Sequence, residues 1–303
     1  MNISEEETQS FFGSDSHHEN IIFATYYILI FLIAVPGNAL ALWAFFRQHS
    51  TSPSKVFLRH LSVADISYIL ILPMRIVYHL SDSHWPFGHV ICQLAGFLFY
   101  LNMYCSLYLM SFISLHRFLA VVLPIKSQSV RKVLYAKVAV GILWVTVIVS
   151  MSPTLFSKRN VRNNSTGSCN KLYLEKTSPT ALVSTVVAFV IPLTTIVVSY
   201  ILILLKLRAM KQEERPVKSK AIRMIVLIVM NFLFAFVPYH VSRVIYIEMH
   251  MHGNLTAASH ESLGRANRIT SALTCVSGVL DPVMYFFLNR VYRDKLLQLF
   301  CKP

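Results

Sequence analysis

Seven stretches of the chain are apolar over the length that crosses a bilayer, which takes about 20 helical residues at about 1.5 Å rise each for a hydrocarbon core of about 30 Å. They run over residues 21–46, 60–80, 90–114, 133–156, 179–205, 224–247 and 269–288. The first, third and fifth carry no Asp, Glu, Lys or Arg. The others hold only Asp65 and Arg75, Lys137, Arg243 and Asp281 respectively. The pattern predicts an all-α membrane protein: a seven-transmembrane helix bundle over 21–289, an outer N-terminal segment 1–20, and a short amphipathic helix with a short tail over 290–303.

Prolines fall inside six of the seven spans, at Pro36, Pro73, Pro153, Pro192, Pro238 and Pro282. Such residues break soluble helices, but between packed membrane helices they read as kinks whose freed carbonyls find other donors. No repeat relates the two halves, which argues against a transporter built from duplicated units. The opening Met-Asn-Ile-Ser-Glu-Glu-Glu has no basic n-region, so the first span is expected to insert directly.

Only 14% of the residues are charged and the mean hydropathy is +0.54, against roughly 25% charged in a soluble domain. A soluble globular protein is thereby excluded. The formal net charge of +14 is mostly topological, because segments 47–59, 117–137, 206–223 and 290–302 hold 19 Lys and Arg and the opposite side 9. The positive-inside rule puts the 19 in the cytoplasm and the N-terminus, with five acids and no Lys or Arg before residue 21, outside. The basic runs lack interleaved aromatics, so a nucleic-acid polymer is not an expected partner.

Glycosylation sequons at Asn2, Asn163, Asn164 and Asn254 all fall on the outer side. Cys92 and Cys169 are also outside, where a disulfide can form. Residues 290–300 place Val291, Leu296, Leu297, Leu299 and Phe300 among Arg290, Arg293 and Lys295, a helix suited to the inner leaflet. Cys301 behind it is a candidate for palmitoylation or a plain free thiol.

Charges within spans are costly and usually functional. Asp65 and Asp281, with Asn38, Asn102 and Ser106, supply hard oxygens suited to sodium, or else a hydrogen-bond network without an ion. The twelve histidines form no HExxH pair, and His79 and His84 beside Asp82 read as an outer loop rather than a catalytic group.

Arg75, Arg243 and Arg268 lie in the outer parts of their spans with no acid of matching depth, although Glu248 is about one turn from Arg243. Packed together they would give a cationic pocket walled by Phe99, Tyr100, Tyr104, Tyr239 and Tyr246, with His240 beside Arg243. Forked guanidinium groups suit carboxylate or phosphate ligands. For a single arginine the competing reading is snorkelling to the headgroups.

The order of motifs resembles the rhodopsin-like (class A) G-protein-coupled receptors. It runs from Gly37-Asn38 through Leu61-Ser62-Val63-Ala64-Asp65, Trp85-Pro86-Phe87-Gly88 before Cys92, Arg117, Trp144, Pro192 with Tyr200, and Phe232 to Pro238, to Asp281-Pro282-Val283-Met284-Tyr285. Residues 236–243 are similar to the nucleotide and lipid-mediator branch, and residues 96–104 and 266–271 follow one member of it. The resemblance implies a plasma-membrane receptor for an extracellular nucleotide or acidic lipid, signalling through a heterotrimeric G protein, by analogy Gi.

It also implies residue roles. Arg117, Tyr200 and Tyr285 would rearrange around a cytoplasmic cleft, and Phe232, Phe236 and Pro238 would form the pivot of span six. Asp65, Asn38, Ser106 and Asp281 would hold sodium, and Cys92 and Cys169 would pair. One departure stands out: the acid usual before the arginine is His116, which removes a carboxylate restraint and leads to an expectation of raised basal signalling. A ligand-free constitutive receptor, an anion transporter using Arg75 and Arg243, and a membrane enzyme are the competing classes.

Overall fold

A computed structural model describes residues 3–47, 52–156, 169, 172–173, 177–209, 215–253, 256–288 and 290–300. Asn2, Asn163, Asn164, Asn254 and Cys301 lie outside them. Twelve helices are described: α1 (Ile3–Arg47), α2 (Pro53–Ile69), α3 (Leu72–Leu80), α4 (Gly88–Val121), α5 (Val133–Met151), α6 (Pro153–Phe156), α7 (Pro179–Arg208), α8 (Arg215–Asn231), α9 (Val237–His252), α10 (Ala257–Leu273), α11 (Val276–Leu288) and α12 (Arg290–Phe300). They form seven spans with a further helix after the seventh, and among the described residues there is no strand.

The helices outrun the apolar stretches. Span two begins at Pro53 rather than His60, and span three ends at Val121, so Arg117 is helical. Hydropathy marks the hydrocarbon slab, whereas the backbone stays helical into the headgroup region, where charged side chains are solvated. Helix starts have local causes: Ser178 accepts from the Ala181 amide at 3.1 Å ahead of Pro179, and Thr256 accepts from the Ser259 amide at 3.3 Å.

The prolines divide into two kinds. Pro36, Pro192 and Pro282 sit inside continuous helices. Pro73, Pro153 and Pro238 stand just after breaks, at Leu70–Ile71, at Ser152, and at a π-helical turn over Phe232–Phe236. Pro282 lacks an amide hydrogen, and the carbonyl four residues back, Gly278, accepts instead from Asn38 Nδ2 at 2.8 Å. Gly37 permits that approach, since a Cβ there would lie 2.9 Å from the Pro282 ring.

Burial is inverted relative to a soluble protein. On α5 the exposed Leu134, Val138, Ile142, Val145 and Val149 recur at helical spacing, while Ala136, Val140, Leu143 and Val147 face the bundle. Asn38, Asp65, Arg75, Asn102, His240, Arg243 and Asp281 are buried within it. On α12, Tyr292 turns inward, its hydroxyl 3.4 Å from the Gly37 carbonyl, and Leu297 faces out.

Candidate functional site

Arg75 projects from α3 and is 0% exposed. Its guanidinium lies 4.8–5.9 Å from the ring centres of Tyr27, Tyr68, Phe99 and Tyr173, a cation–π cage. It donates to the Tyr27 hydroxyl at 3.0 Å and to the Leu172 carbonyl at 2.8 Å, and its Nε has no hydrogen-bond partner among the described residues. Tyr68 stands seven residues, two helical turns, before Arg75, a spacing that could have placed it on the same face. Tyr27 and Tyr173 come from distant segments and carry no such signal.

The loop segment that supplies Leu172 and Tyr173 is anchored at several points. Cys169 is bonded to Cys92 with Cα atoms 5.7 Å apart, and Asn267 Nδ2 donates to the Tyr173 carbonyl at 2.6 Å. His79 is not in an outer loop, as its sequence neighbours suggested. It ends α3, is buried, and joins Asn20 at 2.8 Å to the Tyr173 hydroxyl at 2.5 Å. Asn20 Oδ1 can only accept, so His79 Nδ1 carries the proton. Burial pushes the Tyr173 phenol up, so its hydroxyl keeps the proton that it donates to Nε2. Asp82 and Ser83 form the following turn in left-handed conformation, and His84 follows them.

Arg243 lies one turn along α9 from both Tyr239 and Tyr246, is 4% exposed, and sits 5.4 Å from the Tyr246 ring centre. Tyr239 lies within electrostatic reach of Arg243 and Arg75. The aromatic wall is continuous: Phe99 meets Tyr239 at 5.9 Å, Tyr100 stacks on Tyr104 at 6.0 Å, and Tyr104 meets His240 at 6.2 Å. His240 donates from Nδ1 to the Phe236 carbonyl and stacks on Phe189, leaving Nε2 without a hydrogen-bond partner among the described residues.

Two expected pairings differ. Glu248 pairs with His252 at 3.3 Å, on an exposed stretch of α9. Arg268 does not turn in to join Arg75 and Arg243. Both its Nε and Nη2 reach Glu19 on α1, at 3.3 and 3.0 Å, an acid whose proximity only the packing of spans one and seven creates.

At mid-membrane Asn102 donates to Asp65 at 3.3 Å and lies 3.4 Å from Ser106, while the Tyr285 hydroxyl donates to Asp65 at 3.1 Å. Asp281 accepts from Asn231 at 2.7 Å. Asn231, just before Phe232, was missed; a lone amide in an otherwise apolar run was its signal. Asp281 Oδ2 and Asn231 Oδ1 are buried; Asn231 Oδ1 has no hydrogen-bond partner among the described residues, and the Asp281 carboxyl lies against that of Asp65. Asn38 Nδ2 donates to the carbonyls of Ala34 and Gly278, and its Oδ1 is buried without a hydrogen-bond partner among the described residues.

At the inner end Tyr200 accepts from Ser114 at 2.7 Å and lies within electrostatic reach of Arg117. Arg117 Nε has no hydrogen-bond partner among the described residues. His116 Nδ1 meets Ser54 Oγ at 3.1 Å, so the side chain that replaces the usual acid faces α2. Tyr285 engages Asp65 rather than this cluster, and Phe232 stacks on Phe189 at 5.6 Å and meets Phe236 at a tilt at 6.2 Å. Pro238 begins the helix above them.

Residues 37–285 match the 7 transmembrane receptor (rhodopsin family) model. The chain is 49% identical over 290 residues to the uracil nucleotide/cysteinyl leukotriene receptor of Homo sapiens, covering 95% of this chain and 79% of that one. It is 48% identical over 290 residues to the Mus musculus receptor of the same name, covering 95% and 86%. To a purinoceptor of Homo sapiens it is 31% identical over 278 residues, covering 89% and 74%. The chain therefore belongs to the rhodopsin family of seven-transmembrane G-protein-coupled receptors, multi-pass proteins of the plasma membrane that are receptors and not enzymes.

Proposed function

We propose that this receptor answers an extracellular anion, a nucleotide or a cysteinyl leukotriene-like acidic lipid, and signals through a G protein of the Gi type. The observation that carries the reading is the pair of buried guanidiniums, Arg75 and Arg243, both within electrostatic reach of Tyr239 in one aromatic wall. Guanidinium forks match phosphate and carboxylate, and the rings of Phe99, Tyr100, Tyr104 and Tyr246 suit a base or an unsaturated tail. An agonist that binds more tightly when span six swings outward shifts the population toward the G-protein-competent arrangement. Phe232, Phe236 and Pro238, at the π turn, supply the pivot, and Arg117, Tyr200 and Tyr285 rearrange below it. Nucleotides and cysteinyl leukotrienes applied to cells expressing the receptor should inhibit adenylyl cyclase, and pertussis toxin should abolish the effect. Toxin-resistant signalling would refute Gi coupling.

Ligand-free signalling is a second reading with its own support. The Leu172 carbonyl already fills one arm of Arg75, and His116 offers Arg117 no carboxylate. The two readings combine as raised basal activity that an agonist increases.

Sodium fits the mid-membrane site, because the adjacent carboxyls of Asp65 and Asp281 and the buried oxygens Asn38 Oδ1 and Asn231 Oδ1, unpartnered among the described residues, form a hard oxygen set. Asp65, Asn38, Asn102, Ser106 and Asp281 would hold it in the inactive state. Raising sodium in membrane preparations should lower basal nucleotide exchange, and Asp65→Asn should remove that dependence. A dependence that survives the substitution would place the ion elsewhere.

A further inference from the structure

The last turn of α9 and the first turn of α10 meet at the outer end of spans six and seven, and each carries a histidine at the contact. The chain turns at Gly253, where a Cβ would lie 2.6 Å from the Met249 carbonyl oxygen. Thr256 then starts α10: its side chain accepts from the Ser259 amide at 3.3 Å, and its carbonyl accepts from the His260 amide at 3.0 Å. His250 and His260 are thus mounted on helical backbone rather than on the connecting turn.

His250 Nδ1 lies 2.7 Å from the Tyr246 carbonyl, an oxygen that can only accept, so Nδ1 carries the proton and Nε2 the lone pair. Tyr246 also stacks on the ring at 4.1 Å and fixes its plane. A backbone carbonyl on one imidazole nitrogen is the usual outer-shell support of a metal-binding histidine, because it orients the other nitrogen as the ligand. That other nitrogen, Nε2, is buried without a hydrogen-bond partner among the described residues. A buried acceptor left so costs free energy unless a donor or a Lewis acid meets it. The His260 ring stands against the His250 ring, centroids 5.1 Å apart and planes at 62°. With zinc–nitrogen bonds of about 2.0–2.1 Å at a tetrahedral angle, two imidazole centres on one zinc ion lie about 5 Å apart.

We infer that His250 Nε2 and one ring nitrogen of His260 bind a divalent transition-metal ion, zinc, which bridges the outer ends of spans six and seven. An imidazole pair favours zinc over calcium or magnesium, which take oxygen ligands. Among the described residues no third His, Cys, Asp or Glu joins the pair, so water completes the coordination. His260 is exposed, which leaves the site open to the extracellular side. The nearby acids are engaged elsewhere. Glu248 pairs with His252 at 3.3 Å, about 200° round α9 from His250, and Glu261 lies 3.9 Å from Arg265. The bridge uses neither guanidinium of the proposed agonist pocket, although Tyr246, which stacks on His250, also lies 5.4 Å from the Arg243 guanidinium.

The test uses the full chain in phosphatidylcholine nanodiscs, free of any polyhistidine tag, titrated with zinc chloride. Binding is read by calorimetry and, independently, by the rise in unfolding temperature that a ligand of the folded state produces. His250→Gln and His260→Gln should each weaken the tightest zinc site by about tenfold or more, since loss of a ligand costs at least as much as loss of its outer-shell partner. Both ends are needed for a bridge, so the double variant should add little to either single loss. Without zinc, His260→Gln, at an exposed position, should unfold at the parent temperature, which separates a lost ligand from a lost fold. His252→Gln should keep the parent affinity. No zinc binding in the parent, parent affinity in either single variant, or loss of binding in His252→Gln would overturn the site.

Discussion

Asn38 and Gly37 act on a backbone defect made by another residue. Pro282 frees the Gly278 carbonyl, Asn38 supplies its donor, and Gly37 leaves room for the ring. A buried carbonyl left without a partner costs about 1–3 kcal/mol, so Asn38→Ala should lower the thermal unfolding temperature of the detergent-solubilised receptor. Gly37→Ala brings a methyl against the Pro282 ring and costs about 1–3 kcal/mol by overpacking. An unchanged melting temperature in both variants would contradict the assignment. His116 belongs to the same scale. His116→Asp places a carboxylate next to Arg117, and basal G-protein activation should fall; unchanged basal activity would exclude the missing acid as its cause.

At the scale of elements, the bilayer makes the spans legible, since a membrane-crossing helix must be long and apolar whatever it packs against. The breaks were less so. All six prolines read as kinks, yet only Pro73, Pro153 and Pro238 adjoin interruptions, and the irregularity at Thr274–Cys275 has no proline. The site divided in the same way. Arg75, Arg243 and the tyrosines of α4 and α9 declared themselves by chemistry and helical spacing. Glu19, Asn20, Tyr27 and Tyr173 did not, because each becomes a partner only when α1 and the outer loop fold onto α3 and α10. That loop has its own prediction. If the Cys92–Cys169 bond acts by holding Leu172 at Arg75, then Cys92→Ser, Cys169→Ser and the double variant should shift basal and agonist-stimulated signalling by the same amount. Additive losses would show that each cysteine contributes separately.

Across the whole molecule, charge runs in layers. The outer end presents guanidiniums in an aromatic setting, the middle holds two carboxylates with amides and hydroxyls, and the inner face carries most of the Lys and Arg. The outer layer is where an anion would be sensed and the inner layer is where a G protein would dock. Span six, with its π turn between Asn231 and Pro238, connects the two. The most direct measurement is G-protein activation in cells lacking endogenous nucleotide receptors, comparing this receptor with its Arg243→Ala variant, first without ligand and then across nucleotides and cysteinyl leukotrienes. The account predicts basal activity in both, an increase with at least one anion in the parent, and loss of that increase in Arg243→Ala. An equal anion response in the two, or no response to any anion in the parent, would contradict it.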